Sequence, residues 1–303
     1  MKDRYKKQVA LLIRIMPSVY RIKDFAVHGG TAINLFHKNM PRYSVDIDLT
    51  YIPIESRNVS LNTINAKLLE VKQSIEKSIP SVNVKHKPDV WKLLCTYGEA
   101  TVKIEVNGTK RGIIGDTVDM PLCEKARNEF SMGCKARTVS FSQLYGGKIT
   151  AAVSRQHPRD LFDCKYMNLN SFNEVKDGFM LCLLGSDKPI IESLQPNPVN
   201  QTDALENQFQ GMSDIPFGYE DYTSARTELL TFTNGSLTDI DKEFLLSFES
   251  GTPNWSKCTS GDLSKYPSVQ WKLLNIEKLK KSNVKKFEQG ISKLKEFFVS
   301  QLL

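Results

Sequence analysis

Apolar side chains near the start of the chain recur at helical spacing, and the pattern then changes to short runs that alternate apolar and polar residues. The spacing over residues 9–16 predicts an amphipathic opening helix. The apolar run Phe25–His28 predicts a strand that stops at two glycines, after which Thr31 can cap a short helix. Residues 45–49 alternate apolar and acidic side chains, which predicts a second strand with both of its aspartates on one face.

Beyond these elements the first half of the chain continues as one helix and several strands. Residues 61–78 place apolar side chains on one helical face, and three later runs, at residues 82–84, 91–97 and 100–106, have the composition of strands. Helices and strands mixed in this way predict an α+β (mixed α/β) domain, in which a short mixed sheet is flanked by helices. We assign this domain to residues 1–137.

The pattern after residue 137 is mostly helical. The predicted elements are helices near residues 141–153 and 159–169, a linker over residues 187–202, and one long lysine-rich helix from residue 269 to residue 302. We therefore expect residues 138–303 to form a mostly helical C-terminal domain that completes an active-site cleft.

Composition is that of an ordinary soluble protein. Of the 303 residues, 40% are hydrophobic and 25% are charged, so a core can form without disulfides. The six scattered cysteines favour reduced thiols in the cytoplasm. No segment approaches the roughly 20 apolar residues of a membrane span, so we expect a cytoplasmic protein without a membrane partner. The formal net charge of +7 permits a polyanionic partner such as nucleic acid.

The two aspartates of the second strand are candidates for a metal site. Asp46 and Asp48 stand at positions i and i+2, so their carboxylates can share one cation. Mg²⁺ commonly takes one or two protein carboxylates together with substrate phosphates, and Mn²⁺ is the alternative ion. Glu105 alternates correctly on a later strand to supply a third carboxylate. Such a site favours chemistry on a phosphate ester.

The glycines upstream of the aspartates suggest a binding site for phosphate. Gly29 and Gly30 stand at a strand-to-helix turn, where glycine allows a phosphate to approach the backbone closely. The free N–H groups and the dipole at the start of the helix also favour an anion. A phosphate cradle followed within one helix by an aspartate pair favours a nucleotide-binding function over a simple turn.

Two segments carry a resemblance to a known family. HGGTA (residues 28–32) followed by RYSVDIDL (residues 42–49) resembles the first motif of the polymerase-β-like nucleotidyltransferase superfamily, and in particular its AbiEii/AbiGii toxin branch. The segment GKITAAVSRQHPRDLFD (residues 147–163) matches a later helix of that branch. Together they cover residues 25–166, and the last third of the chain adds nothing to the resemblance.

The resemblance implies a role for each matched residue. Asp46 and Asp48 would bind the metal, with Glu105 as the third ligand. The catalytic residues would be Asp46, Asp48, Lys148 and Asp160. The nucleotide would be bound by Gly29, Gly30, Thr31, Arg42, Ser44, Lys148, Arg159 and Asp163.

The same resemblance implies a function. It predicts a magnesium-dependent enzyme that transfers a nucleoside monophosphate from a nucleoside triphosphate to an acceptor hydroxyl. The enzyme would be the toxin of a bacterial toxin–antitoxin or phage-defence system, with transfer RNA as acceptor and a separate antitoxin protein as partner. The alternatives are transfer to a small molecule such as an antibiotic, transfer to a protein hydroxyl, and a catalytically silent nucleic-acid-binding adaptor.

Two basic features also have structural interpretations. Arg159, Asp160 and Asp163 could form a cluster at the start of a helix, with a structural salt bridge to Arg155 or Lys148, and Lys148 could also be a lysine on a helix surface. The lysines of the last predicted helix could follow an RNA backbone or form a solvated helix face. The sequence alone favours the solvated face.

Overall fold

The computed structural model describes residues 2–301 and divides the chain into two compact units. Unit 1 contains the described residues up to Ser140 together with Leu205–Pro216. Unit 2 contains Phe141–Ala204 and the described residues from Phe217 onward. The chain therefore returns to unit 1 for twelve residues in the middle of unit 2, and nothing in the sequence pattern indicates this return.

Unit 1 is built on one mixed sheet of seven strands. The strands are β1 (Phe25–His28), β2 (Ile47–Tyr51), β3 (Asn83–Lys87), β4 (Lys92–Tyr97), β5 (Ala100–Val106), β6 (Val118–Pro121) and β7 (Lys135–Thr138). Their order across the sheet is β3-β4-β5-β2-β1-β7-β6. The pairs β2/β5 and β1/β7 are parallel and the others are antiparallel, which confirms the predicted mixed α+β class.

The helices of unit 1 include α1 (Lys2–Tyr20), α2 (Gly29–Thr31), α3 (Arg57–Ser78) and α4 (Glu124–Phe130). Helix α1 contacts β5 and β7, and α3 contacts β3 and β4. Along β5 the apolar side chains, such as Ile104, are buried, whereas Lys103 and Glu105 alternate with them and are only partly buried. The period of two thus separates a packed face of the sheet from a face that carries charge.

Two predicted boundaries near the aspartates are wrong. Strand β2 begins at Ile47, so Asp46 lies just before it. The carbonyl oxygen of Asp46 accepts a hydrogen bond from the Thr31 hydroxyl and takes no part in a strand ladder. Thr31 also does not cap a helix, because α2 begins at Gly29, and Thr31 lies inside the helical stretch with φ −68° and ψ −44°. A π-helical turn, Ala32–His37, continues from α2.

All of the regular secondary structure in the described residues of unit 2 is helical. Its helices are α5 (Phe141–Arg155), α6 (Pro158–Lys165), α7 (Lys176–Leu184), α8 (Ile190–Leu194), α9 (Thr202–Ala204), α10 (Tyr219–Gly235), α11 (Asp239–Glu249), α12 (Pro267–Ser282) and α13 (Val284–Ser300). A Cβ on Gly146 would lie 2.1 Å from the backbone nitrogen of Phe179, and one on Gly178 would lie 2.0 Å from the carbonyl oxygen of Ser142. These two glycines bring α5 and α7 into backbone contact.

Two predictions for this unit need correction. The linker predicted over residues 187–202 contains α8, whose Ile190 and Leu194 are buried. The long lysine-rich helix is two helices, because Asn283 leaves the helical region with φ −154° and ψ 76° and caps α13 by accepting a hydrogen bond from the Lys286 amide. Leu302, the predicted end of that helix, lies outside the described residues. No described helix is both long and apolar enough to cross a membrane.

Candidate active site

The strand register places four charged or ionisable side chains in one row across the sheet of unit 1. Asp48 on β2 is paired with His28 on β1 and with Glu105 on β5. Glu105 is in turn paired with Lys92 on β4. Directly paired residues point to the same side of a sheet. The register thus brings Glu105 beside the aspartate pair, as the sequence predicted, and adds Lys92, which the sequence did not single out.

The glycine turn is shaped by Asp48. Gly29 has a φ of +69°, a conformation that disfavours residues with a Cβ. A Cβ added there would lie 2.8 Å from the Asp48 carboxylate oxygen Oδ2. The carboxylate therefore packs directly on the Gly29 backbone, and the sequence needs glycine at this position for two independent reasons.

The second glycine is covered by the two polar residues of the segment that follows the turn. A Cβ on Gly30 would lie 2.8 Å from Arg42 Nη2 and 3.0 Å from Ser44 Oγ. Arg42 and Ser44 are both buried, with 4% and 7% of their surface exposed. The oxygen atoms of the Thr31 and Ser44 hydroxyls lie 3.0 Å apart. The structure thus brings together Gly29, Gly30, Thr31, Arg42, Ser44, Asp46 and Asp48.

The segment that carries Arg42 is held by the returning chain, Leu205–Pro216. The amide of Tyr43 donates a hydrogen bond of 2.7 Å to the carbonyl oxygen of Met212, and Arg42 forms an isolated β-bridge with Ser213. The Ser213 hydroxyl donates to the carbonyl oxygen of Pro41 at 2.9 Å. Residues far away in sequence therefore position the loop before Asp46, and local sequence patterns contain no signal for them.

Two lysines balance the carboxylates of this row. Both Glu105 oxygens are in ion pairs, one with Lys92 at 3.0 Å and one with Lys103 at 2.9 Å. Lys103 also lies 4.0 Å from the Asp46 carboxylate. Burial disfavours both charges, yet the ion pairs lower the pKa of Glu105 and raise that of Lys103. The charges of Asp46 and Asp48 also raise the pKa of Lys103.

A divalent metal ion fits part of this arrangement. Asp46 and Asp48 would supply the one or two carboxylates that such an ion usually takes from a protein. The residues 2–301 contain no group of three or more His, Cys, Asp or Glu side chains arranged to hold a metal. Because lysines occupy both Glu105 oxygens, its role as a third ligand stays a prediction.

A second group of predicted residues lies within unit 2. The Lys148 ammonium on α5 forms ion pairs with Asp160 at 2.9 Å and with Asp163 at 3.0 Å on α6. At most 7% of each of these three side chains is exposed. Burial opposes the negative charge of Asp160, but Lys148 and Arg155 outweigh it and hold the pKa of that carboxyl well below its usual range. The predicted salt-bridge cluster is therefore present.

The two arginines of this segment are placed differently. Arg155 reaches Asp160 at 2.7 Å while 64% of its side chain stays exposed. Arg159 is half-buried, and no described carboxylate lies within ion-pair distance of it. Its backbone amide donates instead to His157 Nδ1, which caps α6. Arg159 is thus a cation whose charge is not balanced by a direct ion pair.

Comparisons with known proteins identify the family of this chain. A family model described as "Nucleotidyl transferase AbiEii toxin, Type IV TA system" matches residues 11–233. MenT4, a nucleotidyltransferase toxin from Mycobacterium tuberculosis H37Rv, is similar in structure with a TM-score of 0.62 and 13% identity, over 90% of this chain and 93% of that chain. At this identity the likeness concerns the fold.

The family match spans most of the chain and includes every residue singled out above as a candidate for catalysis, nucleotide binding or metal binding. No curated protein sequence matches the chain. Membership of the family implies a nucleoside triphosphate substrate and an antitoxin partner. The chain belongs to the AbiEii family of nucleotidyltransferase toxins from type IV toxin–antitoxin systems.

Proposed function

We propose that this nucleotidyltransferase uses Mg²⁺, held by Asp46 and Asp48, to transfer a nucleoside monophosphate to a hydroxyl group of transfer RNA. The observation that carries the proposal is the Asp48 carboxylate packed on the Gly29 backbone, next to the buried Arg42 and Ser44. This arrangement supports the proposal because carboxylates that suit a cation lie beside the glycine turn. Membership of the family supports this proposal, and it also supports a role in phage defence and a cytoplasmic location.

The chain's own residues would act mainly by positioning and by charge. The acceptor hydroxyl loses its proton to solvent and its oxygen attacks the α-phosphorus, the bond from that phosphorus to the bridging oxygen breaks, and pyrophosphate leaves. The Gly30 backbone and the Arg42 guanidinium would bind triphosphate oxygens, and Lys148, Arg159, Asp160 and Asp163 stay predicted contributors. A bound magnesium ion would screen the phosphate charge and favour ionisation of the acceptor hydroxyl.

The structure adds a positioning role for Thr31. Its side chain is buried and its hydroxyl donates to the Asp46 carbonyl oxygen. Thr31 therefore fixes the backbone that carries the first carboxylate. A direct contact between this hydroxyl and a phosphate stays a prediction.

The proposed function is tested by labelling. Purified protein is incubated with Mg²⁺, total bacterial RNA and each α-labelled nucleoside triphosphate in turn, beside an Asp46→Asn variant. We expect label in a band of transfer-RNA size with the unchanged chain alone. Label in a small molecule or in protein would replace the RNA acceptor with one of the alternatives, and equal labelling by the variant would contradict the assigned role of Asp46.

Replacing Gly29 by alanine should remove activity and also destabilise unit 1. The positive φ costs about 1–2 kcal/mol for a residue with a Cβ, and the new methyl group would displace the Asp48 carboxylate. Gly98→Ala is the matched control, because Gly98 has a φ of +55° but no atom within 4 Å of the added Cβ. Both variants should lose similar stability in urea, and only Gly29→Ala should lose labelling by a large factor.

A further inference from the structure

The last two helices of unit 2 present a row of exposed lysines. We call this set the lysine surface, and its members are Lys278, Lys280, Lys281, Lys285, Lys286, Lys293 and Lys295. Three exposed glutamates, Glu277, Glu288 and Glu296, share the same helices. The surface therefore has a clear positive excess. Lys272, which the sequence grouped with these lysines, is buried and donates a hydrogen bond to the carbonyl oxygen of Lys188.

Most of this positive charge is not balanced by ion pairs among residues 2–301. Lys281 forms an ion pair with Glu277 at 2.6 Å, and Lys280 lies over the Phe287 ring at 5.6 Å. The other five lysines have no carboxylate within ion-pair distance among the described residues. Unpaired ammonium groups on neighbouring helices repel one another, and an external anion would relieve that repulsion.

The aromatic face of α13 is packed inside unit 2. Phe287, Leu294, Phe297 and Phe298 of α13 are buried, and so is Ile276 of α12. An amphipathic helix that inserts into a membrane needs this face to be free. Protein interfaces are in turn depleted in lysine. Both facts favour a nucleic acid over a membrane or a protein as the anionic partner.

The outer face of α12 adds an aromatic side chain to the lysines. Trp271, Leu274, Lys278 and Lys281 recur at helical spacing, so they lie along one stripe. The Trp271 and Leu274 side chains are 53% and 59% exposed. Leu274, Lys278 and Lys281 also line a shallow groove with Glu277 and Ser282. Cationic grooves with an exposed aromatic residue bind single-stranded nucleic acid, in which phosphates meet lysines and a base stacks on the ring.

We propose that the lysine surface and Trp271 form an RNA-binding site on α12 and α13. The site would hold the backbone of an RNA through phosphate contacts and one unstacked base through Trp271. The inference rests on the proposed function in one respect, since an RNA acceptor gives this surface its ligand. The surface itself is defined by the charges and exposures of the two helices.

The test measures RNA binding without transfer. Fluorescently labelled bulk bacterial transfer RNA is titrated with the full chain carrying Asp48→Asn, without nucleotide, over a series of salt concentrations. In the surface variant, Lys278, Lys281, Lys285 and Lys286 are replaced by alanine; in the control variant, Lys85, Lys87, Lys110 and Lys135, four exposed lysines of unit 1, are replaced in the same way. Both variants lose the same charge, and thermal unfolding checks that both are folded.

We expect the surface variant to bind the transfer RNA at least about tenfold more weakly than the chain with Asp48→Asn alone. The slope of log affinity against log salt concentration, which is negative, should become smaller in magnitude by roughly 3. The control variant should change much less, and Trp271→Ala alone should weaken binding by about tenfold. Equal weakening by both lysine variants would overturn the proposal, because net charge would then explain the binding. Tighter binding of polyglutamate than of RNA would overturn it in favour of an acidic protein.

The two measurements distinguish a failure of the proposed RNA acceptor from a failure of the proposed lysine surface. If RNA binds through the lysine surface but the unchanged chain labels no RNA, the surface stands and the proposed acceptor falls. If the chain labels transfer RNA and the surface variant binds and labels it equally well, the acceptor stands and the surface falls.

Discussion

Replacing Asp48 by asparagine should lower nucleotidyl transfer by about 10²–10³-fold, the scale of loss seen when a group that stabilises transition-state charge is removed. Asparagine keeps the shape of the side chain on the Gly29 backbone but loses the charge that a cation requires. The measurement is the initial rate of label incorporation at saturating triphosphate and RNA. Asp46→Asn should have a similar effect, because both carboxylates lie near the same cationic group, Lys103.

The loss at Asp48 should not come from unfolding. The carboxylates of Asp46, Asp48 and Glu105 repel one another around Lys103, so removing one charge should leave the free energy of unfolding unchanged or raise it by up to about 1 kcal/mol. Asp116→Asn, at an exposed position in the same unit, is the matched control and should keep full activity. An Asp48→Asn variant that keeps more than a tenth of the rate would remove Asp48 from the catalytic site.

Replacing Lys148 by methionine should cost about 3–5 kcal/mol of unfolding free energy, which is typical when one partner of a buried salt bridge is removed. Asp160 and Asp163 share this ammonium group, and almost nothing of the three side chains is exposed. Methionine keeps much of the volume but leaves two buried carboxylates without that partner. Urea unfolding of the full chain at pH 7 measures the loss.

The pH dependence of this loss identifies its cause. The folded-state pKa of Asp160 is held below the value of roughly 3.9 expected for an unfolded chain. The stabilisation by the ionised carboxyl is therefore present above that value and is lost as pH falls toward the folded-state pKa. In Lys148→Met burial should raise the pKa instead, so the variant gains stability as pH falls. The difference between the two proteins should shrink from pH 7 to pH 4.

Lys165→Met supplies the matched control in the same unit. Lys165 pairs with Asp221 at 2.7 Å, but 28% and 40% of these side chains are exposed. An exposed pair of this kind contributes about 0–1 kcal/mol. If Lys148→Met lowers the free energy of unfolding no more than Lys165→Met does, and nucleotidyl transfer is nevertheless lost, then Lys148 acts on the substrate and does not stabilise unit 2.

Local sequence patterns were sufficient for much of the fold around the site. The alternation of apolar and polar residues predicted β5 with its observed bounds. The helical spacing of apolar residues identified the buried face of α3, which carries Ile64, Leu68, Val71 and Ile75. The motif that contains Gly29, Asp46 and Asp48 identified the family. These features depend on neighbours within a few residues, which the sequence contains explicitly.

Two features near the aspartates could not be predicted from the sequence. Lys92 meets Glu105 because of the register between β4 and β5, and Met212 and Ser213 hold the Arg42 loop because the chain returns from unit 2. Register and return depend on how strands and distant segments pack. No periodicity within either segment encodes them.

The sequence by itself thus determined the class of fold, the family and the aspartate pair, because alternation and short motifs record local geometry and local chemistry. Only the tertiary structure decided where the charges are balanced: Glu105 between two lysines, Lys148 between two buried aspartates, and the outer lysines of α12 and α13 largely unpaired. The physical reason is that an ion pair requires a separation of a few ångströms, which is set by strand register and by how neighbouring helices pack.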